Sequence, residues 1–176
     1  IILRNMTVAN PSASFGQGSG QENNDTLSQD VLHGFDNYVY IRNLNQGNQN
    51  AITTTDVYWS NTSTLTTPNQ WNYIGTTTQM LVPSGNSLTC SLGLVWDSAD
   101  IPAPGHYCFI GITGSPNDPK TLTVNQVANF STTAMTWSEY LDLIKNNNNV
   151  AWKNFNVVDV VPQLQNPIPI PSFNFH

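Results

Sequence analysis

LTCSLGLVW, residues 88–96, places Leu88, Cys90, Leu92, Leu94 and Trp96 at every second position. Successive side chains of an extended chain point to opposite faces of a sheet. The spacing therefore predicts a half-buried strand with all five residues on one face. The neighbouring segments read the same way. In NYVYIRN (37–43), Val39 and Ile41 share one face, and Tyr38, Tyr40 and Arg42 share the other. LNQGNQNA (44–51) supplies a Gly/Asn hairpin turn. ITTTDVYW (52–59) puts Val57 and Trp59 on one side, and WNYIGTTT (71–78) is a further short strand. VPSGNS (82–87) is a turn, with Pro83 and Gly85 suited to it. HYCFIGI (106–112) sets Cys108, Ile110 and Ile112 against Tyr107 and Phe109. Short strands at regular spacing are the mark of an all-β domain.

The period changes once. TWSEYLDLIK (136–145) carries Trp137, Tyr140, Leu141 and Ile144 on one helical stripe. Thr136 with Glu139 three residues on forms a capping box, and Asn146 to Asn149 stop the helix. VAWKNFNVVDVV (150–161) is a last strand whose inward face is ambiguous by alternation. The expected organisation is one domain over residues 1–176. Residues 1–36 form an N-terminal edge strand and a long loop, and 37–161 form the sandwich with its helix. Residues 162–176 form an extended Pro-rich tail, where Ile168, Ile170, Phe173 and Phe175 alternate.

The 176 residues are enough to bury a core without a metal or disulfide. Only 9% are charged, against about 25% in ordinary proteins, so Asn, Gln, Ser and Thr must supply solubility. The net charge is −6 with five Lys and Arg in total, and no basic cluster occurs. Nucleic acid and anionic lipid, both of which need clustered cations, are not expected partners. No apolar run approaches the ~20 residues that span a bilayer, so no membrane insertion is expected. The chain starts with Ile1 and no signal-peptide pattern follows, so a processed or excised piece of a secreted parent is expected. N-x-[ST] tripeptides begin at Asn5, Asn24, Asn61 and Asn129, as an Asn-rich chain produces by chance.

The series VYIRNLNQG, VYW, VPSGNS, PGHYCFIGI and a later paired-Asn strand resembles the bacterial CARDB-type module. The elements that carry the resemblance are Asn45 to Gly47, Pro83 to Asn86, Pro104 to Tyr107, and Asn148 with Asn149, within roughly residues 35–160. The resemblance implies an immunoglobulin-like antiparallel β-sandwich of about seven or eight strands with one short α-helix before the last strand. It also implies a non-catalytic extracellular module of a secreted or surface bacterial protein, serving adhesion, assembly or attachment to a larger enzyme. Two departures stand out. The connection before the last strand is long and holds the helix, and the acidic residues usual there are replaced by SPNDP and NNNN. Antibody-type domains carry a cysteine on the second strand, whereas positions 39 and 41 are apolar here.

Candidate sites are few. Cys90 and Cys108 are the only cysteines, and both fall on apolar faces of strands that can lie in opposing sheets. Two readings stay open: a cross-sheet disulfide, worth about 3 kcal/mol by loop closure, and two buried thiols acting as small hydrophobes. A catalytic cysteine would need a basic neighbour that neither has in sequence. His33, His106 and His176 show no metal spacing, and GSGQENND (18–25) matches no calcium-loop repeat. No nucleophile elbow, P-loop or dinucleotide fingerprint occurs, so no enzyme, metal or cofactor is expected. Among the five Trp, Trp96 reads as core and Trp137 as helix packing, which leaves Trp59 and Trp71 as candidates for stacking on a glycan. A carbohydrate-binding module is the second reading of the chain. A subunit that assembles with other protein chains through its terminal segments is the third.

Overall fold

The computed structural model describes residues 1–61, 67–131 and 136–160. The expected Pro-rich tail at 162–176 and the polar residues 62–66 lie outside the described residues. Among those described, the order is β1 (Ile2–Arg4), α1 (Pro11–Phe15), β2 (Val31–Leu32), β3 (Asn37–Tyr40), β4 (Arg42–Asn45) and β5 (Ala51–Asn61). There follow β6 (Asn72–Thr76), β7 (Met80–Val82), β8 (Ser87–Cys90), β9 (Leu94–Trp96) and β10 (Gly105–Gly114). The last elements are α2 (Val124–Ala128), α3 (Trp137–Lys145) and β11 (Val150–Val158).

The chain is an all-β sandwich. The back sheet runs β2-β11-β10-β5-β6, and β7 pairs with the first residues of β5. The front sheet runs β1-β3-β9 and continues as the β4-β8 ladder. Every ladder is antiparallel except β2 with β11. Leu3, Val39, Ile41 and Trp96 from the front meet Val57, Phe109, Phe155 and Val157 from the back in one buried cluster. Phe109 stacks on Phe155 with ring centroids 3.9 Å apart, and the Trp96 ring meets both edge-on. Such close aromatic packing buries large apolar area with defined geometry.

The 88–96 stretch is where structure and alternation part. It is two strands, not one. Arg42 faces Cys90 and Val39 faces Leu94, so two residues, Tyr40 and Ile41, oppose three, Ser91 to Gly93. One extra residue on one strand is a β-bulge, which breaks the alternation and turns the following side chains over. Ser91 sustains the break. Its backbone N–H donates to the Ile41 carbonyl at 2.9 Å, and its hydroxyl oxygen accepts the Ile41 N–H at 3.0 Å. Leu92 is the displaced residue and stands 63% exposed. Gly93 lies against the Tyr40 ring so closely that a Cβ there would come within 2.9 Å of it. As a result Leu94 and Trp96 point into the inter-sheet core, while Cys90 points outward to Ile2, Phe15 and Tyr40.

Three short α-helices among the described residues, rather than the one expected, cover both outer faces. On the front, α1 starts at Asn10, whose side chain accepts the Ala13 N–H, and sets Phe15 edge-on to Tyr40. On the back, α2 and α3 each begin with a complete capping box, Thr123 with Gln126 and Thr136 with Glu139. They cover Ile110 and Ile112 with Leu122, Val127 and Tyr140. Leu143, with Ile144, packs against that cluster, and Trp137 is left 54% exposed. The long loop expected within residues 1–36 holds α1 and β2. The strand segments outnumber the seven or eight expected because the bulge and the break at Ile41 each divide a longer strand and because the two-residue β2 forms in the stretch expected as loop.

Candidate functional site

Two concentrations of unusual side chains stand out, one on the outer face of the back sheet and one at an open end between the sheets.

The outer face is ordered by strand register. Trp152 on β11, Ile110 on β10, Tyr58 on β5 and Tyr73 on β6 are direct cross-strand partners, so they form one row. Trp71, just before β6, is laid over that row by the turn of 3-10 helix at Pro68–Gln70. Its ring is 5.8 Å from Tyr58 and 5.5 Å from Trp152, and Tyr58 is 5.4 Å from Tyr73. The rings form a continuous chain whose two ends reach solvent, Trp152 at 36% and Tyr73 at 48%. Three inter-strand spacings set those ends roughly 14 Å apart. Beside Trp152 the sheet turns polar. Cys108 donates to Asn154 Oδ1 at 2.9 Å, His106 Nδ1 lies 2.8 Å from Asn156 Oδ1, and Asn156 Nδ2 donates to Asp30 at 3.2 Å. The first two of these pairs are again direct partners across β10 and β11, so the amides are held at fixed spacing.

At the other end of the row, Asp56 is almost fully buried. Its carboxylate accepts Lys120 Nζ and Thr76 Oγ1, both at 2.6 Å, and Thr76 is 2.6 Å from the Tyr73 hydroxyl. Tyr73 is thereby anchored through a charged pair. The Tyr58 hydroxyl is buried without a hydrogen-bond partner among the described residues, and burial raises its pKa well above the usual phenol value.

Of the two stacking candidates from the sequence, neither is a free platform. Trp59 points into the sandwich, where it meets Trp96 and Tyr107. Trp71 is on the right face but only 7% exposed, roofed into the aromatic chain. Within the aromatic row the exposed rings are Trp152 and Tyr73. Trp152 was hidden in the strand whose alternation is ambiguous, and Tyr73 in a short polar strand.

Of the two open readings of the cysteines, a cross-sheet disulfide and free thiols, the structure has the second. Cys90 and Cys108 are both free thiols. They do lie in different sheets, but on the two outer faces, with the whole inter-sheet core between them. The bulge at Leu92 causes this by turning Cys90 away from the core. Burial pushes the Cys90 thiol up to about 11 and raises that of Cys108 as well, so neither is poised as a nucleophile. In the GSGQENND loop, the Glu22 carboxylate accepts the Gly18 N–H at 2.6 Å, and backbone N–H groups there hold its pKa below the usual carboxylate range. Its oxygens are turned to the chain itself. Among the described residues, no three His, Cys, Asp or Glu gather as a metal site would require. No described helix is long and apolar enough to cross a membrane.

The second feature is a cleft of about 610 Å³ where the two sheets part. Its walls come from β4, the 46–50 turn, the start of β5, the end of β10 and the residues leading into β11. A comparison with protein-family models finds no match to this chain, and a comparison with curated protein sequences finds none either.

Proposed function

We propose that this domain is a non-catalytic, immunoglobulin-like accessory module of a secreted or surface bacterial protein, and that it attaches its parent to carbohydrate. The observation that carries the reading is the Trp152–Trp71–Tyr58–Tyr73 chain, exposed at both ends and bordered by Asn154, Asn156 and His106. Aromatic faces suit the apolar C–H faces of sugars, and rings with one apolar side and one wet side are common at binding surfaces. Amides held at strand spacing offer both donors and acceptors to hydroxyl groups. A low-charge surface favours a neutral polymer over a charged one. The sandwich supports the site as a rigid scaffold, because every ring in the row is set by backbone register. The CARDB-like resemblance adds the accessory role, and fold alone would not assign it.

The test is a glycan array and a pull-down on insoluble polysaccharides, followed by titration of Trp152→Ala. Retention on a neutral polysaccharide, weakened on the order of tenfold in that variant, is the expected result. Unchanged binding by Trp152→Ala would move the site elsewhere. Absence of binding to every neutral glycan would remove the carbohydrate reading.

A further inference from the structure

The end cleft is separate from the aromatic row. It opens between the sheets, on the inner side of the same back sheet, and the reading above makes no use of it. Its floor is polar at a depth where sandwiches are ordinarily apolar. Thr55 is 1% exposed and Thr53 8%. Thr55 Oγ1 lies 2.7 Å from Thr113 Oγ1, and Asn43 Nδ2 donates to Thr53 Oγ1 at 2.9 Å. Thr113 Oγ1 is 3.4 Å from Asn43 Oδ1, which links the groups into one network. The network fixes the rotamers of the floor and leaves capacity over. The Thr53 hydroxyl accepts from Asn43 and still has its own proton to give.

Gly111 explains why there is room. It sits on the inward face of β10 in register with Val57, where a side chain would project into the cleft. A Cβ there would make only ordinary contacts, at 3.4 Å or more, so the glycine is not forced by crowding. The rim carries Asn149, whose amide donates to Asp118 at 2.8 Å. Arg42, the lining cation, is turned to the carbonyls of Gln21, Glu22 and Asn24. Among the described residues the lining offers hydroxyls and primary amides and no aromatic side chain, and the α-amino group of Ile1, which also lines the cleft, is lowered by burial to a pKa of about 6 and so is largely uncharged near pH 7. Its volume falls within the ~300–1,000 Å³ of small-ligand sites.

We infer that this cleft is a second binding site, which takes a single small neutral sugar residue edge-on by hydrogen bonds to Asn43, Thr53 and Thr113. It stands independently of the aromatic row, and either site can exist without the other.

The experiment is an NMR titration of the intact chain with N-acetylglucosamine, glucose and galactose in turn. At least one sugar is expected to shift backbone amides of 43–55 and 111–118, with half-saturation on the order of 1 mM. Gly111→Val, which fills the floor, is expected to abolish those shifts. Thr53→Val, nearly isosteric and safer for folding, is expected to weaken binding about fivefold. Trp152→Ala is expected to leave the cleft shifts intact, which separates this site from the one proposed above. Shifts confined to the outer face, no cleft shift with any of the three sugars, or full affinity in Thr53→Val would each overturn the inference.

Discussion

Cys90 shows how one side chain's environment follows from a residue two positions away. The extra residue at Leu92 turns Cys90 out of the core and into a pocket with Ile2, Phe15 and Tyr40. Burial there disfavours the thiolate and pushes the pKa up to about 11. A group whose pKa is raised on folding favours the folded state fully below its unfolded value. That contribution is lost as pH rises from the ordinary thiol range through the folded value. Three outcomes are expected. The native chain treated with iodoacetamide at pH 8 should label at the partly exposed Cys108 well before Cys90, read by peptide mass spectrometry. The unreduced chain should also show no mass deficit from a disulfide. Cys90→Ala should flatten the alkaline limb of stability above about pH 9, the region where unfolded thiols ionise. Equal labelling of the two cysteines would contradict the placement.

The elements follow their local signals closely where those signals are local. Helix α3 starts at Thr136 with the capping box read from Thr136 and Glu139, and Asn146 ends it. The VPSGNS turn takes positive φ at both Gly85 and Asn86, as residues tolerant of the left-handed region allow. The face of that helix was less legible: Leu143 joins the back cluster, because the helix is rotated by what it packs on. The β8–β9 bulge is the element most exposed to a single change. Gly93→Ala would set a Cβ 2.9 Å from the buried Tyr40 ring, whose hydroxyl accepts the Val8 N–H at 2.8 Å. Tyr40 has little room to retreat. The expected cost is about 1–3 kcal/mol, read from urea unfolding. A loss much smaller than 1 kcal/mol would mean that the bulge is pliant.

At the scale of the whole molecule, the sandwich is a central core with a smaller apolar cluster on each outer face. Strands β5 and β10 are paired on both sides, whereas β1, β2 and β6 are edges. Opening free energies differ across such a structure and are highest where pairing and burial are greatest. Amide exchange should therefore be slowest at 55–59 and 107–112 and fast in α3 and β2. Protection of α3 equal to that of β10 would require a stronger coupling between the helices and the sheet than the packing shows. The chain's own order of residues determined the β class, the VPSGNS turn, the cap of α3 and the low-charge, amide-rich composition. Each of these depends on side-chain period or on contacts a few residues apart. The 44–51 stretch read as a hairpin turn instead crosses from β4, which pairs with β8, to β5, which pairs with β10, β6 and β7. Tertiary structure alone decided which face Cys90 takes, that Trp152 and Tyr73 rather than Trp59 reach solvent, and that Gly111 opens a polar cleft. Those outcomes depend on register against strands tens of residues away, as with Ile41 opposite Ser91, and no local period carries that register.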